Sequence, residues 1–518
     1  MGRLSCILAA VALTLSVSGC ASARIKRENA LAMARADERV LQGCYDCLLE
    51  AKATYERLAA SAHANPDTSA LRSFETLLLL ALREKELQLD WRGTLARARD
   101  RARAMPSSVG AGRLFEIVDA VLPDGTGRST DWPATAGGKR PSFAARVRGE
   151  MQWLSSTPLR PAVRDYLALA LDCSYDGRVL APRAQPGATR RRPVLAPDSP
   201  PLIIYRTGIC MGADTNMMAA VLALVPEFHE AAYFAGAVAA IRAEEDGGTR
   251  AWAMLDQAYR RFPQSPAVTY VSGWLAMNVG ECSDALRFFD ATAATDSTHE
   301  LALLNATICH SRLRQDSAAI AMATRLLALN SRSSQPAYYW RAVSWLRQKD
   351  LSRARADIEA AKALEREPNS LTMAGVIENE QNDLGIAEHD LREARALPRG
   401  DQNWTAAWTL GLVFARKNRP ADAAATFENA MDCFDVRVAI ARAGIARLRA
   451  RPPSNAAYAV RRLAALEADS TDQRSRYYAA AFNAAGNRAN SGNLPRAVEL
   501  LDIASRDEKL AEPVRQLC

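Results

Sequence analysis

The sequence predicts an all-α fold, a right-handed α-solenoid of stacked helical hairpins. Three observations carry the prediction. An alanine recurs at a nearly constant interval through the C-terminal half, small and large apolar residues keep fixed offsets from it, and turn-forming residues fall between the resulting segments. The second half of the chain therefore reads as one supersecondary unit used many times.

The recurring anchors are Ala251, Ala285, Ala319, Ala354, Ala387, Ala423, Ala456 and Ala497, spaced by 34, 34, 35, 33, 36, 33 and 41 residues. Twelve residues before an anchor stands a small residue: Gly273, Thr307, Ala342, Gly375, Gly411, Gly444 or Ala485. The first unit departs from this, with Gly236 fifteen residues before Ala251. Four residues after the anchor come Leu255, Phe289, Ile358, Leu391, Phe427, Val460 and Leu501, with Ala323 as the small exception. Residues at such offsets share one helix face, and a small residue opposite them lets two helices approach. Gly280, Asn382, Asn418 and Gly492 stand five before their anchors, where the chain must turn between helices. Pro263, Pro368 and Pro398 fall near the ends of units, where a helix must stop. No single hairpin buries its own apolar face, so the units must stack.

The pattern resembles the tetratricopeptide repeat, a 34-residue pair of antiparallel helices. The best match is Ala407-Trp408-Thr409-Leu410-Gly411-Leu412-Val413-Phe414, followed by Ala423, Phe427 and Ala430, and the resemblance covers residues 226–518. It implies a superhelix whose concave groove is lined by the first helix of each unit and takes a peptide. Tyr270, Tyr339, Trp408 and Phe482 occupy one repeating position on those helices, Tyr233 takes the matching place in the first unit, and Trp274 lies one turn beyond Tyr270. These six aromatics are the candidate groove, because buried aromatics make good binding hot spots. The Lys and Asn pattern with which some repeat adaptors hold a C-terminal carboxylate is missing, so an acidic-tail ligand is not expected.

The N-terminus reads as an export signal over residues 1–19. Arg3 supplies the positive start, and Cys6 to Val17 is an apolar run too short to span a bilayer. It ends in Val17-Ser18-Gly19-Cys20, which resembles the bacterial lipoprotein box. The resemblance implies acylation of the Cys20 thiol and a membrane anchor. Ala21 and Ser22 follow, without the Asp that resembles an inner-membrane retention signal, which favours the outer membrane facing the periplasm.

An even set of cysteines in an exported chain permits disulfides. Cys44 and Cys47 form a CxxC between helical flanks and are read as a structural pair, with a thiol-redox role as an alternative. Cys173 and Cys210 bracket an insertion and are expected to close its base. Cys282 and Cys309 fall on helices that should pack, which makes them candidates for a third pair. Residues 20–105 read as N-terminal helical hairpins, with a stripe through Tyr45, Leu48, Tyr55 and Leu58. Residues 106–225 break the pattern. Asp124 to Pro141 is a Gly- and Pro-bearing loop, and 174–209 is a Pro-rich insertion carrying Arg190, Arg191 and Arg192, a candidate contact for an anionic envelope polymer.

At 518 residues the usual ratio of ~150 residues per domain suggests three or four globular domains, a count the repeat replaces. The net charge of +8 is mild for this length, and no nucleic-acid partner is expected. The five histidines show no metal-ligand spacing, and no GxSxG, P-loop or dinucleotide motif is present, so no metal, cofactor or catalytic residue is assigned. The sequence thus predicts a non-enzymatic, membrane-anchored scaffold for an envelope protein or peptide. A glycan or cell-wall receptor is the alternative from another class.

Overall fold

The computed structural model describes residues 2–61, 65–103, 105–120, 143–174, 195, 198–210, 214–240, 248–330, 333–452 and 456–517, with side chains described from Ser22 onward. Every regular element among them is a helix. The chain divides into two compact units, one of residues 1–241 with 250–268, the other of residues 242–249 with 269–518.

The first unit holds α1 (Gly2–Gln42), α2 (Tyr45–Ala59), α3 (Pro66–Glu86), α4 (Trp91–Ala102), α5 (Ala111–Ala120), α6 (Phe143–Ser155), α7 (Pro161–Ser174), α8 (Pro201–Cys210), α9 (Thr215–Leu224), α10 (His229–Ala240) and α11 (Thr249–Arg261). Its centre is α3, buried at every position from Ser73 to Glu86. Such a helix must be surrounded on all sides. Leu48, Ala51 and Tyr55 of α2, Leu95 and Ala98 of α4, Leu114 and Ile117 of α5, and Val163 and Leu167 of α7 supply the surround.

The charged end of α3 is buried with the rest, and its Arg83 and Glu86 are paired internally. Glu86 accepts hydrogen bonds from Arg83 at 3.1 Å, Arg206 at 2.9 Å and Tyr205 Oη at 2.7 Å. Arg83 also donates to Tyr166 Oη at 2.6 Å and to the Gly43 carbonyl at 3.1 Å, and its guanidinium lies over the Tyr205 ring. Removing one member of such a buried set leaves an uncompensated charge, at a cost of roughly 3–5 kcal/mol.

The sequence reading of 174–209 as irregular is corrected at its end. Residues 201–210 form α8, with Pro201 at its start and Leu202, Tyr205 and Ile209 buried. Their apolar run gains partners on α7 and α9 that no local pattern announces. The loop from Asp124 to Pro141 and the residues Arg190, Arg191 and Arg192 lie outside the described residues.

The second unit contains α12 (Pro266–Asn278) from Thr269 on, α13 (Cys282–Thr295), α14 (Glu300–Arg312), α15 (Asp316–Leu327), α16 (Ser334–Arg347), α17 (Leu351–Leu364), α18 (Pro368–Glu380), α19 (Leu384–Ala396), α20 (Trp404–Arg416), α21 (Pro420–Ala450), α22 (Ala456–Asn490), α23 (Leu494–Ala504) and α24 (Glu508–Leu517). Up to α20 these are hairpins of 12- to 14-residue helices, as the spacing predicts. Anchors Ala285, Ala319, Ala354, Ala387 and Ala423 are all fully buried.

Two constraints set each hairpin. The first is a close approach. A Cβ on Gly273 would stand 2.7 Å from the Phe289 ring, one on Gly375 2.4 Å from Leu391, and one on Gly411 2.8 Å from the Phe427 ring. In each case the partner is the apolar residue four beyond the anchor. The second is the turn. Gly280, Arg314, Lys349, Asn382, Asn418 and Gly492, each five before an anchor, all have positive φ. The next amide bonds back across the turn each time, as Glu281 does to Ala276 O at 2.8 Å and Asp350 to Trp345 O at 3.0 Å.

The pattern changes near the C-terminus. The sequence spacing requires a break between units near residue 435 and another near 468. Instead α21 and α22 run straight through, because neither stretch holds a Gly or Pro to stop a helix. Anchor Ala456 is exposed, and Val460, which the offsets assign to the core, is 68% exposed.

The left-handed turn gives a testable pair. Gly280→Ala meets no neighbour within 4 Å, so its penalty comes from backbone conformation alone and is expected at ~1–2 kcal/mol. Lys349→Gly relieves the same strain at φ 64° and should stabilise by ~0.5–1 kcal/mol. Urea unfolding checks both, and opposite signs are the expected outcome.

Candidate partner-binding surface

In the second unit, α14 approaches α16, α16 approaches α18 and α18 approaches α20, more closely than the corresponding second helices approach one another. A layer whose members lie closer together is the inside of a curve, so the first helices form its concave face. On α14 the least buried stripe runs through Leu301, Leu304, Ile308 and Arg312, at i, i+3, i+7 and i+11.

The predicted aromatic row lies on these helices but is not open. Tyr270 packs on His299 with ring centroids 4.8 Å apart and on Phe289 at 6.1 Å. Trp408 stands edge-on to Phe427 at 5.5 Å, and Tyr339 to Trp340 at 5.3 Å. Trp408 and Phe482 are partly buried against the same core cluster, and Trp274 is half-buried. Tyr233 lies in the first unit and is fully buried, so it leaves the candidate surface. Tyr270 and Trp408 stand beside the glycine notches at Gly273 and Gly411, and their rings fill the gap that the notch leaves. The row therefore packs the hairpins and presents only its edges.

Sequence reasoning missed the polar ties between successive repeats. Arg347 Nη1 donates to the Ser311 carbonyl at 3.0 Å, and Arg416 Nη1 donates to the Asn379 carbonyl and, at 2.9 Å, to Asn379 Oδ1. Both arginines stand seven before an anchor, and both acceptors stand eight before the preceding one. That shared offset is the signal that would have revealed the tie. Ion pairs also join successive repeats: Arg355 with Asp383 at 2.6 Å, Lys417 with Glu388 at 2.6 Å, and Arg366 with Glu393.

One buried charged group in this ladder is unbalanced. Lys362 bonds Asp390 and, at 3.0 Å, Glu359. Glu378 lies beside them, 1% exposed, and among the described residues neither of its carboxylate oxygens has a hydrogen-bond partner. Burial, reinforced by the charge of Asp390, pushes its carboxyl up to about 7.

The six cysteines that the sequence singles out fall in three groups, and Cys433 is a further free thiol. Cys44 and Cys47 form a disulfide at the start of α2, with both residues fully buried. No sulfur there meets solvent, which removes the ground for a thiol-redox site. Cys210 is disulfide-bonded, while the side chain of Cys173 lies outside the described residues. Cys282 and Cys309 are neighbours, as their helices predict, but they stand as free thiols hydrogen-bonded to each other. That bond, with Arg312 nearby, lowers the Cys282 thiol to about 7 and raises Cys309.

Glu378 yields the pH prediction. A carboxyl raised to about 7 in the folded state holds its proton where the unfolded chain, near its ordinary value, has lost it. The stability it contributes is present at acid pH and is lost as pH rises toward 7. Glu378→Gln should flatten this slope and stabilise the protein above pH 7 by roughly 1–3 kcal/mol. Denaturant unfolding between pH 5 and 8 checks it, and an unchanged slope would contradict it.

Residues 202–380 match the model of the Iml2/Tetratricopeptide repeat protein 39 family. Among solved structures, the chain is similar to YrrB, described as a TPR protein with an unusual peptide-binding site. The identity is 16% over 35% of this chain and 91% of that one, with a TM-score of 0.30. It is similar to pilF of Pseudomonas aeruginosa at 15% identity, over 38% of this chain and 90% of that one, with a TM-score of 0.34. Against the APC/C hetero-tetramer Cut9-Hcn1 the identity is 13%, over 89% of this chain and 76% of that one, with a TM-score of 0.32. No curated sequence matches this chain. On the anchor spacing, the left-handed turns and the family match, the chain carries repeats of the tetratricopeptide type.

Proposed function

We propose that this protein is a non-enzymatic, lipid-anchored scaffold of the bacterial cell envelope, whose concave repeat face holds a protein partner. The observation that carries the reading is the face itself. Its first helix α14 presents a stripe with exposed Leu301, while Arg347 and Arg416 are already tied to the preceding repeats. Such a surface offers apolar contact area without a converging set of catalytic groups. The anchor rests on the sequence Val17-Ser18-Gly19-Cys20. Outer-membrane placement rests on the absence of Asp after Cys20.

Two measurements test the two halves. Cys20→Ala should move the protein from the membrane fraction to the soluble fraction, and unchanged retention would count against lipidation. A photo-crosslinking residue at Leu301 should trap the same partner in repeated experiments, whereas one at Ile386, exposed on the second helix α19, should not. Equal yields from both positions would remove the concave face as the binding site.

A further inference from the structure

The hairpin formed by α21 and α22 is unlike every other in the second unit. α21 has 31 residues and α22 has 35, against 13 for α20. At 1.5 Å per residue, α21 runs about 25 Å further than α20 can accompany it. The projecting part carries residues 436–450 of α21 and 456–466 of α22.

Its composition is distinctive. From Val436 to Leu466 the chain has seven arginines, namely Arg437, Arg442, Arg447, Arg449, Arg451, Arg461 and Arg462, and no Asp, Glu, Lys or His. Arg449 pairs with Glu467, and Arg461 with Glu281. Among the described residues no carboxylate pairs with Arg437, Arg442, Arg447, Arg451 or Arg462. Arg437, Arg442, Arg447 and Arg451 are exposed.

Aliphatic side chains are exposed among them. Val436, Ile440 and Val460 are 58%, 65% and 68% exposed. Val436, Ile440, Ala443 and Arg447 follow at i, i+4, i+7 and i+11, one stripe of α21 turned away from buried Val438 and Ala441. The repeat arithmetic assigns Val460 to a core, so its exposure is a departure that the rest of the array does not share.

We infer that the tip of this hairpin docks on an anionic phospholipid surface. Charge complementarity selects the partner's sign, since five of the seven arginines have no carboxylate partner among the described residues. The exposed aliphatics favour a lipid surface over nucleic acid. Branched aliphatic side chains enter the headgroup and acyl boundary, while single-stranded nucleic acid calls for aromatic stacking platforms. The arginine stems themselves add apolar reach, keeping the guanidinium among phosphates. This docking does not depend on an acyl chain at Cys20. It gives the second unit its own contact with a membrane.

The test uses the full chain bearing Cys20→Ala, so that no acyl chain contributes. Co-sedimentation with vesicles of 30% phosphatidylglycerol in phosphatidylcholine is compared with pure phosphatidylcholine vesicles. The protein should partition more strongly to the anionic vesicles, and the difference should vanish at 0.5 M salt. Arg437→Glu, Arg447→Glu and Arg451→Glu together should lower anionic-vesicle binding roughly tenfold or more, with circular dichroism and thermal midpoint unchanged. Val436→Ser with Ile440→Ser should weaken binding while leaving all charges in place. Equal binding to both vesicle types would overturn the inference, as would full binding by the charge-reversed variant. Complete displacement from anionic vesicles by a single-stranded oligonucleotide would reassign the tip to nucleic acid.

Discussion

The second unit depends on one kind of contact, a small residue on the first helix of a hairpin seated against the second helix, and in three hairpins that residue is a glycine against a large apolar side chain. At Gly273, Gly375 and Gly411 there is no room for a methyl group. This closeness fixes where the two helices cross, and the crossing fixes how long the connection between them can be. The left-handed residue five before each anchor follows from it, because only a tight reversal returns the chain to the notch in time. In the hairpins whose small residue is Thr307 or Ala342, Arg314 and Lys349 take that place, and the tight reversal is kept at the cost of a strained backbone. The inter-repeat bonds come after. Arg347 and Arg416 reach the preceding repeat at equivalent carbonyls because each hairpin is already set in the same geometry.

Where the notch loosens, the repeat gives way. At Gly444 a Cβ would stand 3.3 Å from Leu466, a contact a small shift can relieve. There the helices run on, the anchor Ala456 is exposed, and the hairpin projects with arginines and aliphatics on its surface. The first unit uses a different device. Its central helix α3 is enclosed on all sides, and its buried charged end is held by Arg83, Glu86, Arg206 and two tyrosines. Burying that many charges is tolerable only because each finds a partner.

Legibility in the sequence followed this division. Hairpin spacing, the buried anchors and the turns at Gly280, Asn382, Asn418 and Gly492 were readable because the same physical demand recurs at a fixed interval. The left-handed state of Arg314 and Lys349 was not, since their side chains carry no turn signal and only their offset marks them. The fused helices α21 and α22 escaped because alanine spacing persists where the turn residues have gone. Helix α8 escaped because its burial comes from partners distant in sequence. The aromatic positions were readable from their offsets, yet their degree of burial depends on Phe289, Phe427 and His299, which no single-helix pattern contains. The buried pairing of Lys362 with Asp390, beside unpaired Glu378, likewise joins three helices.

In these hairpins the glycine notch and the side chain that fills it act as a pair. A double-mutant cycle on Gly411 and Phe427 measures this directly. Gly411→Ala alone overpacks the crossing and should cost ~1–3 kcal/mol of unfolding free energy. In the Phe427→Leu background the smaller side chain leaves space, and the same substitution should cost less by more than about 0.5 kcal/mol. Strict additivity of the two changes would mean that the residues do not act together, and would contradict the account.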